Sequence, residues 1–381
     1  MDFNARSEGE AGALAELTHP AERSETPQRT RLDVVPVVLS GGGGSRLWPF
    51  STSETPKQFL PLVNSKSLFS EALNRVRGRA GFRAPIVVGS ERHADLCEAE
   101  VLKDGENTRL ILEPCARNTA PAIVMAAAVA GQMYGDDALL LVMPSDHVIE
   151  DVEEFHEAIR TGEAAARDGR LVTFGIRPTT PDTGYGYLHL GDDLPGATGV
   201  KQVRQFVEKP RLERAEQMFA DGEHLWNAGI FLFRVGTLLE EASKVAPDIA
   251  EKAQQAINAG KRDGIRITPD AHLLSLCPSE SIDIAVMERS SRIAAVPMSP
   301  GWSDLGSWDA LAAMLGNGGP VGPITAIDCE SCYIRSDGVQ VAALGVRDLI
   351  IVAAGGRLLV MPRGRSQEVK KLLSAMEAMA A

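Results

Sequence analysis

The sequence predicts an α/β protein built on a mostly parallel sheet, followed by a small β-rich module at the carboxyl end. Two observations predict this class. From residue 34 onwards, short apolar runs alternate with helical patterns, which is typical of a parallel sheet covered by helices on both faces. Past about residue 318 the pattern changes to short strands separated by Gly and Asp. Of the 381 residues, 44% are hydrophobic and 24% are charged, as in soluble globular proteins.

The composition divides the chain into three parts. Residues 1–31 carry scattered Glu, Arg, Pro, Ser and Thr with few large apolar residues, so we expect a disordered leader there. Residues 32–318 hold the alternating pattern and are expected to form the main domain. Residues 319–381 are expected to form the β-rich module, which ends in an amphipathic helix.

Four strands and the helices that follow them can be located in the first half of the main domain. The helix after the third strand has the clearest signals, because Thr119 is a possible N-cap, Pro121 falls in the first turn and an apolar run follows. The four strands are predicted at 34–39, 86–88, 110–112 and 139–143.

Charge and hydropathy exclude several classes of function. Lys and Arg total 39 and Asp and Glu total 51, so the net charge of −12 argues against a nucleic-acid partner. The longest apolar stretch, 122–130, is far shorter than the roughly 20 residues that a membrane span needs, and no signal segment opens the chain. We therefore expect a cytoplasmic protein without membrane contact, whose 5 Cys are free thiols. The oligomeric state stays open, with a homodimer as one option.

The first chemical signal is a glycine-rich loop directly after the first strand. Its glycines let backbone N–H groups approach phosphate oxygens, and Arg46 and Lys57 supply positive charge. The loop lacks the ending of a Walker A motif, and Leu47 stands where a dinucleotide-binding pattern would have its third Gly. A flexible turn is the alternative interpretation, but the flanking strand and cations favour a phosphate site. The loop consists of Leu39, Ser40, Gly41, Gly42, Gly43, Gly44 and Ser45.

Two aspartates are placed to bind a hard cation. Asp146 follows the strand 139–143, and ligands of open α/β sheets bind beyond the carboxyl ends of strands. Asp304 lies in a turn framed by Gly and Trp. Two carboxylates together with substrate oxygens suffice for Mg²⁺. Asp146 could equally cap a helix, and His147 is expected to orient the loop rather than to bind metal.

Three shorter fragments carry groups suited to a phosphorylated sugar. Glu208 can accept hydrogen bonds from hydroxyls, Asn227 can donate and accept, and Lys209 can meet a phosphate. Each fragment has an ordinary alternative, because Glu208 and Lys209 could form a surface ion pair and the glycines around Tyr185 a turn. The fragments are Thr183 to Tyr187, Phe206 to Pro210 and Trp226 to Phe231.

Taken in order, these fragments closely resemble the bacterial mannose-1-phosphate guanylyltransferases, within the sugar-1-phosphate nucleotidylyltransferase superfamily. The resemblance covers about residues 34–318 and includes the stretches 113–123 and 281–288. It implies a Rossmann-like nucleotidyltransferase domain, with a C-terminal module similar to a short β-helix. Family members often carry a downstream isomerase domain, and we expect this chain to lack that second activity.

The resemblance also implies an activity and a set of site residues. The reaction is that of GTP with mannose 1-phosphate to give GDP-mannose and pyrophosphate, with Mg²⁺ as cofactor. The catalytic residues implied are Arg46, Lys57 and Lys209. The residues implied to bind the GTP phosphates are Leu39, Gly41, Gly42, Gly43, Gly44, Ser45, Arg46 and Lys57. Mg²⁺ is assigned to Asp146 and Asp304, the base to Glu113, Asn118 and Thr119, and mannose 1-phosphate to Gly184, Tyr185, Glu208, Lys209 and Asn227.

The base contact also has an argument from the residues. Guanine presents two adjacent donors, N1–H and the N2 amino group, and Glu113 is the only acid between Leu110 and Thr119. A carboxylate or a backbone carbonyl beside it would match those donors. The alternative is that Glu113 only caps a loop.

Three other functions remain open. The nearest is a related nucleotidylyltransferase with another base or hexose, because pocket contacts decide specificity on a shared fold. An inactive regulatory subunit would be expected to have lost Arg46, Lys57, Asp146 or Asp304, and all four are present. A zinc or redox protein built on Cys329 and Cys332 has weak support, since this single C-x-x-C pair lacks a second ligand pair.

Overall fold

The computed structural model describes residues 33–42, 45–104, 108–316 and 321–380, and the structural statements below refer to these residues. The predicted leader 1–31, Gly43, Gly44 and the predicted domain boundary at residue 318 lie outside the described residues.

Eleven of the described strands form one mixed sheet. The strands of the main domain are β1 Val34–Ser40, β2 Ile86–Ser90, β3 Arg109–Glu113, β4 Leu139–Pro144, β5 Val148–Ile149, β6 Leu171–Ile176, β7 Tyr187–Asp193, β8 Lys201–Val207, β9 His224–Arg234, β10 Lys261–Asp263, β11 Arg266–Thr268, β12 Ile293–Met298 and β13 Trp302–Ser303. Their order in the large sheet is β10-β11-β3-β2-β1-β4-β9-β6-β12-β8-β7, while β5 and β13 pair separately.

The expected parallel arrangement holds from β11 to β4, and the rest of the sheet is mixed. β9 runs antiparallel to β4, β6 and β7. β7 and β8 are also antiparallel, because the connection 194–200 is too short for the crossover that parallel neighbours need. The predicted strands β1 to β4 are confirmed, each slightly longer than the apolar run that indicated it.

Helices cover both faces of this sheet. They are α1 Leu68–Asn74, α2 Ala94–Val101, α3 Thr119–Tyr134, α4 Val152–Arg167, α5 Leu212–Asp221, α6 Val235–Val245, α7 Pro247–Asn258, α8 Ala271–Ser275 and α9 Trp308–Met314. Val35 and Val37 of β1 pack in one core with α3, α6 and α7, whereas Val34 and Val38 pack in a second core with α1, α2 and α4. This alternation buries the strand on both faces, which explains its continuous apolar sequence.

The start of α3 differs from the predicted cap. Asn118, not Thr119, is the N-cap, because its side-chain Oδ1 accepts the backbone N–H of Thr119 at 2.9 Å. Asn118 adopts φ +65° with ψ −171°, a backbone conformation that residues other than Gly rarely adopt. The Thr119 hydroxyl instead accepts the N–H of Ile282 at 2.9 Å and so ties a distant segment to the helix.

The C-terminal module is a β-helix-like coil. Its elements are β14 Ile324–Ile327, β15 Tyr333–Ser336, β16 Val341–Leu344, β17 Leu349–Ala354, β18 Arg357–Pro362 and α10 Val369–Ala380. Ile324 pairs in parallel with Val341 and Tyr333 with Ile350, so each coil advances by 341 − 324 = 17 residues, and likewise 350 − 333 = 17.

A shared apolar cluster joins the module to the main domain. Trp308 is fully buried in this cluster together with Tyr333 and Val352 of the module. The carboxylate of Asp309 accepts the backbone N–H groups of Gly364 and Ser366, at 2.8 and 3.0 Å. No helix in the described ranges combines the length and the apolar character that a membrane crossing requires.

Candidate active site

Sheet pairing places the glycine loop beside the first aspartate. Leu39 of β1 pairs with Pro144 of β4, and the N–H of Ser145 donates to the carbonyl of Leu39 at 2.9 Å. Because β1 and β4 are parallel neighbours, the segments that follow them leave the sheet side by side. The loop from Gly41 and the carboxylate of Asp146 therefore lie at the same edge.

The small β5 and β13 pair adds the second aspartate. Ser303 pairs with Val148 in antiparallel register, which brings the residue after Ser303, Asp304, alongside His147. The Trp302 indole N–H donates to His147 Nδ1 at 3.2 Å, so the neutral imidazole carries its proton on Nε2. Burial is the largest influence on the pKa of His147 and lowers it, which favours that neutral form.

Lys57 connects the two aspartate segments. Its ammonium is 2.8 Å from Asp146 Oδ2 and donates to the backbone carbonyls of Asp304 and Leu305 at 2.6 and 3.4 Å. The residue is only 5% exposed, and these contacts account for its three N–H donors. Burial by itself would raise the pKa of Asp146, but the charge of Lys57 and the hydrogen bond from Lys57 hold it below its ordinary value.

Asp304 is held from two further directions. Its Oδ1 accepts the Tyr185 hydroxyl at 2.8 Å and the Gly306 N–H at 2.9 Å. The Tyr185 ring lies 4.8 Å from the Trp226 ring and 5.3 Å from the Trp302 ring, between centroids. Burial, followed by the charge of Asp304, raises the pKa of Tyr185, so the phenol remains a donor at all ordinary pH values.

These groups surround a cavity of about 300 Å³. Many of the predicted site residues line it: Leu39, Arg46, Lys57, Thr119, Asp146, Gly184, Tyr185, Glu208, Lys209, Asn227 and Asp304. Among the described side chains and glycines, Gly41, Gly42, Glu113 and Asn118 do not line it.

The described part of the glycine loop is open. Gly41 and Gly42 are exposed, and a Cβ added at either would meet no atom within 4 Å. Gly42 has φ +115°, which L side chains rarely adopt. A single 3₁₀ turn, Ser45–Leu47, follows and directs Arg46 to the cavity, where its guanidinium donates to Gln367 Oε1 of the C-terminal module at 2.9 Å.

Glu208 and Lys209, which directly follow β8, lie at the wall of the cavity that β9 also lines. Glu208 Oε1 accepts a hydrogen bond from the Lys209 ammonium at 2.5 Å. The alternative prediction of an ion pair between these two residues is therefore confirmed, and the pair lies at the wall of the cavity. Lys209 has φ +46°, a conformation that costs a non-glycine residue about 1 to 2 kcal/mol. Backbone strain of this kind is frequent at functional sites.

Glu113, which was predicted to contact the base, lies outside the lining of this cavity. Glu113 ends β3, in register with Ser90 of β2, and its Oε1 is buried without a hydrogen-bond partner among the described residues. Burial raises the pKa of Glu113 to about 7. Burial therefore disfavours the charged form of this carboxyl group.

Comparison with known proteins decides the family. Residues 35–316 match the nucleotidyl transferase family, and residues 322–376 match the mannose phosphate isomerase and GMP-like β-helix domain. The chain belongs to the nucleotidyl transferase family. The predicted fold class is thereby confirmed for the main domain and for the β-helix module.

Several relatives of this nucleotidyl transferase are known. A mannose-1-phosphate guanylyltransferase of Klebsiella pneumoniae is 43% identical over 350 residues, covering 90% of this chain and 74% of the relative. The xanthan biosynthesis protein XanB of Xanthomonas campestris pv. campestris is 42% identical over 351 residues, covering 91% of this chain and 74% of the relative. A crystal structure from Thermus thermophilus, described as a mannose-1-phosphate geranyltransferase, has a TM-score of 0.78 at 30% identity and covers 91% of this chain and 100% of its own.

One residue of the nucleotidyl transferase site was not assigned a role from sequence. Asp283 lines the cavity, and its Oδ1 accepts the amide N–H of Asn227 at 2.9 Å. It opens a π-helical turn, Asp283–Met287, a conformation that is frequent at functional sites. Its stretch, 281–288, contributed to the family resemblance, and that was the signal available.

The site can hold a hard cation only if its substrates supply some of the metal ligands. Asp146 and Asp304 offer carboxylate oxygens, the ligands that Mg²⁺ prefers, and both residues line the cavity. The described residues contain no group of three or more His, Cys, Asp or Glu able to hold a metal ion. Because Mg²⁺ usually retains waters and takes phosphate oxygens as ligands, two carboxylates fit this donor set. The thiols of Cys329 and Cys332 instead donate to backbone carbonyls of their own module, at 3.4 and 3.3 Å.

Proposed function

We propose that this chain is a mannose-1-phosphate guanylyltransferase, which converts GTP and mannose 1-phosphate into GDP-mannose and pyrophosphate with Mg²⁺. The observation that carries the proposal is one cavity whose lining includes three cations, Arg46, Lys57 and Lys209, together with the proposed metal ligands Asp146 and Asp304. Such a set suits the meeting of two phosphorylated substrates, because cations and a metal can screen their mutual repulsion. The relatives named mannose-1-phosphate guanylyltransferase give the choice of base and sugar.

The chemistry needs no general base. A phosphate oxygen of mannose 1-phosphate attacks the α-phosphorus of GTP, a new P–O bond forms, and the bond to pyrophosphate breaks. The nucleophile is already an anion near neutral pH, so positioning and charge neutralisation carry the acceleration. When bound, Mg²⁺ supplies charge neutralisation on the phosphate oxygens.

Each cationic side chain has a separate place in this scheme. Lys57 holds Asp146 and the backbone at Asp304, and its charge also acts on the bound phosphates. Arg46 and the loop N–H groups face the phosphates of GTP, where negative charge grows as pyrophosphate leaves. Lys209 pairs with Glu208, but its side chain is 62% exposed at the cavity wall, so its ammonium can also meet the phosphate of the sugar.

One assay tests base, sugar and metal together. The purified protein is incubated with each common NTP and with mannose, glucose or N-acetylglucosamine 1-phosphate, and pyrophosphate release is followed with and without Mg²⁺. We expect the highest specificity constant for GTP with mannose 1-phosphate and no turnover after chelation. A preference for another pair would assign the chain to a different sugar nucleotide, and no release with any pair would contradict the proposal.

A further inference from the structure

The C-terminal module contacts one of the cavity cations directly. Gln367 lies in a 3₁₀ turn of the module, Ser366–Glu368, and its side-chain Oε1 accepts a guanidinium N–H of Arg46 at 2.9 Å. Arg46 lies 321 residues earlier in the chain, in the turn that follows the glycine loop. A side chain of the module therefore holds a side chain that lines the cavity.

The turn that carries Gln367 is fixed to the main domain. The Asp309 carboxylate accepts the backbone N–H and the hydroxyl of Ser366, at 3.0 and 2.5 Å. The same hydroxyl accepts the backbone N–H of Asp309 at 3.0 Å, and Ser366 is only 1% exposed. Because these contacts are reciprocal, they hold the backbone of Gln367 in one position relative to the start of α9.

The backbone next to Arg46 is anchored on the same module. Leu47 is fully buried in the apolar cluster that also contains Val369, the residue after the turn. Further along the main domain, Arg335 of β15 donates to the backbone carbonyl of Leu62 at 2.7 Å and is itself 9% exposed. The module therefore holds the stretch from Leu47 to Leu62 at both of its ends.

Gln367 orients Arg46 without neutralising its charge. Of the cations at the cavity, Lys57 and Lys209 each pair with a carboxylate. Arg46 forms no ion pair with any residue that the structure describes, and the acceptor that meets it is a neutral amide. A guanidinium presents five N–H donors in a fixed plane, so one bond to Gln367 restricts its orientation and leaves the other donors for a phosphate.

We propose that Gln367 is a positioning residue for nucleotidyl transfer, which orients the Arg46 guanidinium toward the nucleotide phosphates before the substrates bind. The C-terminal module thereby completes the active site of the main domain. This inference rests on the proposed function, because it takes Arg46 to contact the phosphates of GTP. Donors that are oriented in advance need no reorganisation as charge develops on the leaving pyrophosphate. Loss of Gln367 should therefore affect turnover and the use of GTP, but not the binding of mannose 1-phosphate.

The first test is Gln367→Met, which keeps the length of the side chain and removes the acceptor. We expect kcat/KM for GTP to fall about three- to tenfold, mainly through kcat, because one orienting hydrogen bond is lost. The KM for mannose 1-phosphate should stay within about twofold of the wild-type value. Gln132→Met is the matched control, since Gln132 of α3 is exposed and also accepts from an arginine, Arg262, but lies outside the lining of the cavity. The control should change none of these constants.

Two further variants separate positioning from a merely structural role. Arg46→Lys keeps the positive charge but has no planar group to orient, so Gln367→Met should change kcat/KM for GTP by less than about twofold in that background. Gln367→Glu keeps the acceptor but pairs its charge with Arg46, and it should instead raise the KM for GTP several-fold. Equal losses from Gln367→Met in both backgrounds, or an unchanged kcat/KM in the wild-type background, would overturn the positioning role.

The failure of the proposed function has a different signature. If the wild type prefers another NTP or another hexose 1-phosphate, the proposed function is wrong, and the same variants measured with the preferred pair test Gln367 in the same way. If the wild type converts GTP and mannose 1-phosphate and Gln367→Met does so equally well, only the inference about Gln367 is overturned. A wild type that releases no pyrophosphate with any pair would overturn both.

Discussion

The two ends of the cavity differ in how far their buried charges are paired within the protein. At the end next to the glycine loop, the Lys57 ammonium has three acceptors and the Asp146 carboxylate has a cation 2.8 Å away. At the other end, Glu208 and Asp283 share a single lysine, and burial raises the pKa of Asp283 to about 7. The first end is internally compensated, whereas the second is not.

This difference indicates where the ligand must complete the structure. Groups whose charges are matched within the protein stay in place before the substrates arrive, which is what stabilisation of a charged transition state needs. A buried polar group without a hydrogen-bond partner costs free energy unless a bound ligand supplies that partner. Such groups therefore mark positions where substrate specificity is set. We therefore expect substitutions at the compensated end to affect turnover and stability, and those at the other end to affect the choice of substrate.

The largest effect is expected from removing either proposed metal ligand. Asp146→Asn and Asp304→Asn should each lower turnover by about a hundredfold or more, because a bound metal contributes several kcal/mol to the transition state. Turnover is measured across a Mg²⁺ titration, with circular dichroism to confirm folding and Asp248→Asn as control. Near-normal turnover of either variant at limiting Mg²⁺ would remove that residue from the metal site.

A second large effect should follow from breaking the compensated pair. Lys57→Met leaves Asp146 without its cation, and we expect a loss of about 1 to 3 kcal/mol in the free energy of unfolding at pH 7, because Lys57 is buried while the Asp146 side chain is 32% exposed. Lys201→Met is a matched control, since its pair with Asp193 is more exposed and should contribute less than about 1 kcal/mol.

The stability of the Lys57→Met variant should depend on pH in a defined direction. In the wild type the pKa of Asp146 lies below its ordinary value, so its stabilising contribution is lost as pH falls through that lowered pKa. Without Lys57, burial dominates and raises the pKa, and the charged form then destabilises the fold at neutral pH. Urea unfolding at pH 7 and pH 4.5 should show the difference between variant and wild type shrinking on acidification. A difference that stays constant would mean that Asp146 is not the group concerned.

The glycine loop and Asp146 could be predicted from sequence because their signals are local, whereas the contact of Lys57 with Asp304 spans 247 residues. The glycine loop and Asp146 each follow a buried strand directly, and parallel neighbours bring such segments together. Asp283 had no such signal, because its partner Asn227 lies 56 residues away and the turn that Asp283 opens is irregular. Likewise, the antiparallel placement of β9 depends on long-range pairing, which its apolar sequence does not encode.

At the uncompensated end, Lys209→Ala should raise the KM for one substrate only. A charge-assisted contact with a partly desolvated phosphate contributes about 1.5 to 3 kcal/mol, so the KM for mannose 1-phosphate should rise by roughly one to two decades. The KM for GTP should hardly change. Alanine carries a Cβ as lysine does, so the backbone strain at φ +46° is kept while the ammonium, its aliphatic stem and the pair with Glu208 are lost. Lys209→Arg should restore most of the affinity, and equal effects on both substrates would count against the assignment.

The smallest effect concerns the base, where Glu113 is the third carboxyl group left without a full set of partners. Its Oε1 is buried and accepts no hydrogen bond from the described residues, so the adjacent donors of guanine could complete it. Glu113→Gln keeps the shape but turns one acceptor into a donor, which should cost roughly 1 to 3 kcal/mol of GTP binding and leave ATP little changed. Since burial raises the pKa of Glu113 to about 7, wild-type preference for GTP should strengthen between pH 6 and pH 8 as the carboxylate forms, whereas the variant should show no such trend. Specificity constants for GTP and ATP at both pH values check this, and an unchanged ratio in the variant would show that Glu113 does not contact the base.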